Sequence, residues 1–185
     1  MDSINQERQQ QINRALVIDL LRQEWICSRA NLSNLSNLKR ATITNIINDF
    51  IDSGLVMETG LLDGDKGRRS IGICINGQRY QVVGVMVTRR FYSIIRMGLS
   101  GEVFATATYP IREGTQVHDI IADIKVKTQG MIQSAGEAEV LAVGIAMPGP
   151  YKRERGEMIF VTNLLGWEGV PIFTSLQEGF DIPVY

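Results

Sequence analysis

The residue types best suited to chemistry cluster between positions 39 and 45, where Lys39, Arg40, Thr42, Thr44 and Asn45 follow one another closely. A guanidinium can fork onto guanine, an amide can pair with adenine, and a threonine can bond a phosphate or meet a thymine methyl. The same residue types also suit any solvated helix face, so their placement has to decide between the two. Arg68 and Arg69 add two guanidinium groups able to meet phosphates or a narrow minor groove, with Asp63 and Asp65 nearby diluting the charge.

The elements that must position these groups are written in the apolar spacing. Over 9–21, Ile12, Leu16, Val17, Leu20 and Leu21 recur at intervals of three and four, which predicts an amphipathic helix. Ser28 is placed to cap a short second helix, and 33–37 reads as a polar turn. A third helix follows, with Ile43, Ile46, Ile47, Phe50 and Ile51 on one face and Gly54 as its stop. Two short helices joined by a turn form a helix-turn-helix, whose last helix enters the major groove by its N-terminal end. That end carries Lys39, Arg40, Thr42, Thr44 and Asn45, largely off the apolar stripe. Residues 55–58 are strand-like, 60–67 are turn-rich and 68–75 alternate, which predicts a hairpin, or wing, with Arg68 and Arg69 near its tip.

Bulk charge does not announce a polyanion partner. Ten Lys/Arg stand against nine Asp/Glu up to Arg79, and nine against eleven after it, for a net charge of −1. A nucleic-acid reading must therefore rest on where individual charges fall. Cys27 and Cys74 lack the spacing of a disulfide framework or a zinc site and read as small buried hydrophobes. No apolar run approaches the length that spans a bilayer, and the polar start MDSINQERQQQ lacks a signal peptide's apolar stretch, so a cytoplasmic protein without a membrane partner is expected.

After Asn76-Gly77 the pattern changes from helical spacing to long β-rich runs. Residues 80–87, 91–97 and 102–109 read as three strands in meander order, the first a nearly continuous buried run. A helix is expected over 117–132 and a buried strand over 140–147, ending at Pro148-Gly149-Pro150. Residues 159–164 look strand-like, Pro171 opens a helix reaching about Glu178, and 182–185 begins one more strand. The expected class is α+β with two domains: 1–76 a winged helix-turn-helix DNA-binding domain, and 77–185 the first part of a ribonuclease-H-like, actin-like ATPase α/β domain.

Three stretches carry a family resemblance: SRANLSNLSNLKRATITNIINDFIDSGLV, then GDKGRRSIG, then VGIAMPGPYKRERGEMIFVTNLLGWEGVP. Together they resemble the repressor branch of the ROK family, which joins repressors, open reading frames and sugar kinases. The likeness runs from about position 12 to 185, and GIAMPGP and NLLGW are its most specific parts. It implies a repressor of carbohydrate-utilisation genes that binds a pseudo-palindromic operator as a homodimer or higher oligomer, and that a sugar or sugar phosphate releases in the full-length form. Gly149 and Asn163 match positions that help build the family's sugar pocket, while Trp167 is expected to pack in the core.

The resemblance also marks departures from the kinases. Their phosphate-loop Asp and Gly fall on Met86 and Thr88, and a thioether cannot order a metal-bound water. Arg89 and Arg90 beside them read as a solvated turn. The family's Asn-Asp pair, with the kinase base, and its zinc ligands are expected beyond Tyr185, which leaves the domain incomplete. No catalytic residue, metal or cofactor is therefore expected. The rival readings are a ROK-type sugar kinase with an appended N-terminal module and a truncated, non-functional remnant.

Overall fold

The computed structural model describes residues 2–62, 69–152, 157–158 and 167–185. Its contacts divide the chain into two compact units, Met1–Arg79 and Tyr80–Tyr185.

The first unit opens with helix α1 (Asp2–Glu24), longer at both ends than its apolar stripe predicts. Only part of that stripe is core: Val17 and Leu21 are buried, whereas Ile12 stays 53% exposed and Leu16 is also exposed. Two residues of strand β1 (Cys27–Ser28) lead into α2 (Arg29–Ser36), with the Ser28 hydroxyl accepting the Asn31 backbone N–H at 3.2 Å. That is the expected N-cap.

The polar stretch 33–37 is mostly helix, contrary to expectation. Ser36 Oγ donates to the Leu32 carbonyl at 2.6 Å, a bond made inside the helix, and only Asn37 breaks away into the left-handed region, at φ 57°. Ser33 Oγ donates to the Leu38 carbonyl at 2.7 Å and the Leu38 N–H bonds Ser36 Oγ at 3.2 Å, so the two serines lock the short connection to α3 (Arg40–Asp52). The latter helix buries Ile43, Ile46, Ile47 and Phe50. It ends at Ser53 and Gly54, whose φ of +73° suits glycine and whose missing Cβ leaves room for Arg79.

Strands β2 (Val56–Leu62) and β3 (Ser70–Ile75) pair antiparallel, with a bulge between Glu58 and Leu61. The order β1-β3-β2 adds Cys27 opposite Ile73 as a third edge, a pairing that the sequence did not suggest. Val56, Ile73 and Ile75 are buried and close the core with the helices.

The second unit is built on a sheet in the order β6-β5-β4-β7. Strands β4 (Tyr80–Val87), β5 (Phe91–Gly98) and β6 (Val103–Pro110) form the antiparallel meander. Strand β7 (Glu139–Ala146) lies parallel to β4, a pairing that needs a crossover, and helix α4 (Val117–Gln133) supplies it.

The first strand of the meander alternates rather than being buried throughout: Gln81, Val83, Val85 and Val87 are buried, while Met86 is 46% exposed. The buried set meets Ile120, Ile121 and Ile124 of α4 in one core. Strands β8 (Tyr151–Lys152) and β9 (Glu157–Met158), paired antiparallel, and helix α5 (Ile172–Gln177) are the remaining elements among the described residues. Val184 bridges Val143 in parallel, so the expected next strand begins there.

Two polar groups are built into this core. The Arg96 guanidinium is buried, bonded to Gln81 and to the Ser134 carbonyl at 3.2 Å, where the C-terminal carbonyls of α4 favour positive charge. The Tyr92 hydroxyl donates to Asp123, and burial together with that carboxylate pushes its phenol well above the usual range.

Candidate nucleic-acid interface

Helix α3 presents two different faces because its sequence alternates at helical spacing. Ile43 and Ile47 are fully buried, and Ile46 and Phe50 nearly so. Around the other side Lys39, Arg40, Thr44 and Asn45 are exposed, and Thr42 is half-buried at the margin. Four of the five polar groups named from sequence between 39 and 45 are thus exposed, at the leading end of one helix.

They fall into two subsets. Arg40 and Thr44 stand one turn apart, with Thr44 Oγ donating to the Arg40 carbonyl at 2.9 Å. Thr42 and Asn45 instead line an open cleft of about 270 Å³ shared with α1. The N-cap, Lys39, makes no capping bond with its side chain, and the first helical bond runs from the Ile43 N–H to the Lys39 carbonyl at 3.1 Å. The leading end of α3 therefore lacks the side-chain acceptor that Ser28 supplies to α2.

Two polar ties hold α3 in place, and sequence reasoning missed both. Arg14 of α1 donates to Asp49 at 2.7 Å and lies 4.6 Å over the Phe50 ring. Arg29 of α2 donates to Glu58 of β2 at 2.9 Å and to Asn48 of α3 at 3.3 Å. Neither pair is visible to a reading of periodicity, because the partners lie far apart in sequence.

Arg69 is exposed just ahead of β3, whereas Arg68 lies outside the described residues. Cys27 is buried; burial and the nearby Glu24 carboxylate push its thiol up, which leaves it without thiolate character.

In the second unit, Gly149 is exposed at φ +104°, just beyond β7, a backbone conformation that favours glycine. Asn163 lies outside the described residues, as does the strand expected over 159–164. Trp167 is 1% exposed and packs in the core, as expected. The turn after β4 is closed on itself. Thr88 Oγ donates to the Phe91 carbonyl at 2.6 Å and accepts the Phe91 N–H at 3.1 Å, and the Thr88 N–H bonds the same carbonyl at 2.8 Å. Arg89 and Arg90 are exposed beside it.

Comparison with known proteins finds likeness to transcription regulators. The chain is 27% identical over 177 residues to a xylose repressor of Caldicellulosiruptor bescii, covering 95% of this chain and 44% of that protein. It is 26% identical over 181 residues to the DNA-binding transcriptional dual regulator NagC of Escherichia coli, covering 95% and 43%. A crystal structure of a ROK family transcriptional regulator, a homologue of the E. coli Mlc protein, superposes with a TM-score of 0.68 at 26% identity, over 95% of this chain and 44% of that one.

A ROK hexokinase from Thermus thermophilus matches only 57% of this chain and 34% of its own, at 20% identity and a TM-score of 0.50, and so speaks for the fold alone. No family model matches the sequence. The chain spans under half the length of the curated relatives it matches. Its likeness to ROK-family repressors, read first from three sequence stretches, is borne out along nearly the whole chain.

Proposed function

The chain being a relative of the ROK-family repressors, we propose that it carries the operator-reading part and the opening of the effector domain of a sugar-responsive transcription repressor. The observation that carries this reading is the leading half of α3: its apolar face is fully committed to the core while Lys39, Arg40, Thr44 and Asn45 remain exposed. In this reading α2 and α3 are the helix-turn-helix pair and β2 with β3 is the wing. Arg40 and Asn45 read base edges, Thr42 and Thr44 supplement them, and Lys39 and the wing arginines Arg68 and Arg69 neutralise phosphates. A homodimer would present two such heads to a pseudo-palindromic site.

The second unit would supply the beginning of a sugar pocket, with Gly149 and Asn163 on the ligand side. A sugar or sugar phosphate then acts by favouring one arrangement of the full-length protein over another, a coupling typically worth about 1 to 3 kcal/mol. Phosphoryl transfer is not part of the proposal. Met86 offers no carboxylate for a metal, and the Thr88 hydroxyl already occupies backbone N–H groups of the turn that would otherwise face a phosphate.

The test is equilibrium binding to duplex DNA over a range of salt concentrations. A complex that weakens linearly in log K against log salt is expected, because Lys and Arg displace counterions from the phosphates. Undetectable or salt-insensitive binding would remove the proposal.

A further inference from the structure

The face of α1 that meets α3 changes chemistry along its length. Gln6, Gln9, Gln10, Asn13 and Val17 share that face at helical spacing. Val17 and Leu21 beyond it are buried, whereas the four amides before them line the open cleft. The opposite wall is Thr42, Asn45, Ile46 and Asp49 of α3, again at intervals of three and four.

Arg14 joins the two walls through Asp49 and Phe50. From that anchor both cleft-lining stripes run toward the N-terminal ends of their helices, so the start of α1 stands on the same side as the leading end of α3.

The chemistry of the cleft narrows its occupant. Its one apolar side chain is Ile46, too little to hold an apolar ligand, and the Asp49 carboxylate is already matched by Arg14. What remains is a row of neutral amides and a hydroxyl, in which Gln9 Nε2 donates to Asn13 Oδ1 at 3.1 Å, and the amide N–H groups left over can serve a row of hydrogen-bond acceptors. The stretch from Gln6 to Asn13 covers about 10 Å of helix, a length that spans neighbouring phosphates on one strand.

We infer that the cleft between α1 and α3 seats one sugar-phosphate strand of the duplex that α3 enters, with Gln6, Gln9, Gln10 and Asn13 donating amide N–H groups to phosphate oxygens. The inference rests on the DNA-binding reading and adds a second helix to the contact surface. It assigns α1 a positioning role, with base preference left to α3.

The experiment compares the unmodified chain with a Gln9→Ala, Gln10→Ala double variant and with Gln10→Lys, on a random-sequence duplex and on a duplex selected by the chain itself. Both side chains are exposed, so the melting temperature is expected to stay put. The double variant should lose roughly tenfold in affinity on both duplexes, with an unchanged salt slope because no charge is removed. Gln10→Lys should bind tighter and steepen the slope by about one ion.

Binding by both variants that matches the unmodified chain would overturn the inference while leaving α3 as the reader. A change in sedimentation rather than in DNA affinity would overturn it in favour of a second copy of the chain in the cleft. Failure of the unmodified chain to bind any duplex at low salt would instead defeat the DNA reading and take this inference with it.

Discussion

The leading end of α3 and the turn between β4 and β5 are made of the same residue types, yet their hydrogen bonds are arranged in opposite ways. Around Thr88 the hydroxyl takes the N–H groups of Arg90 and Phe91 and gives its proton to the Phe91 carbonyl, so the backbone is satisfied from within. At α3 the N-cap is a lysine with no capping bond, and Arg40 and Asn45 are exposed. Threonine and arginine by themselves therefore do not mark a site. Even on α3 the Thr44 hydroxyl is bonded to the Arg40 carbonyl, so what separates the open end from the closed turn is whether the local N–H groups already have a side-chain acceptor.

The largest effect is expected from detaching α3 from its support. Ile47 is fully buried, so Ile47→Ala should cost about 2 to 5 kcal/mol of stability in chemical denaturation, with DNA binding failing only as the fold fails. Asn45→Ala should do the reverse, costing about 1 to 3 kcal/mol of binding to a preferred duplex in a titration while leaving the unfolding curve in place, since the side chain is exposed.

Thr88→Ala sharpens the contrast from the other side. It removes the hydroxyl that closes the turn and should lower stability by about 1 to 2 kcal/mol without touching DNA affinity. The smallest effect is the most pointed. Lys39→Ser would supply the missing cap and stabilise the helix by roughly 0.5 to 1 kcal/mol, yet weaken binding and flatten its salt slope, because a cation is lost from an end that would now be closed. A variant that gained in both stability and affinity would break the contrast between open and closed ends.

How much of this was readable in sequence depends on how local each rule is. Ser28 as a cap, Gly54 as a stop and the three meander strands come from rules that act within a few residues, and the structure follows them. Ile12 and Leu16 share the spacing of Val17 and Leu21, but burial depends on what lies opposite, and among the described residues these two are only partly covered. The stretch 33–37 looked like a turn because serine and asparagine favour turns, whereas Ser33 and Ser36 satisfy their hydroxyls on nearby carbonyls and let the helix continue.

The exposed edge of α3 was legible because apolar spacing fixes which side is buried. The amides of α1 carry no apolar signal, although Gln6, Gln9, Gln10 and Asn13 keep the same intervals. The ties through Arg14 and Arg29 join residues remote in sequence, and only the folded chain brings them together.

The most direct test of the account is a selection from a random pool of duplexes, run in parallel with the unmodified chain and with Arg40→Ala. The account predicts that the unmodified chain enriches a defined motif and that the variant enriches the same motif with preference relaxed at one base position. Identical motifs from both, or no enrichment by the unmodified chain, would contradict the claim that the leading edge of α3 reads DNA.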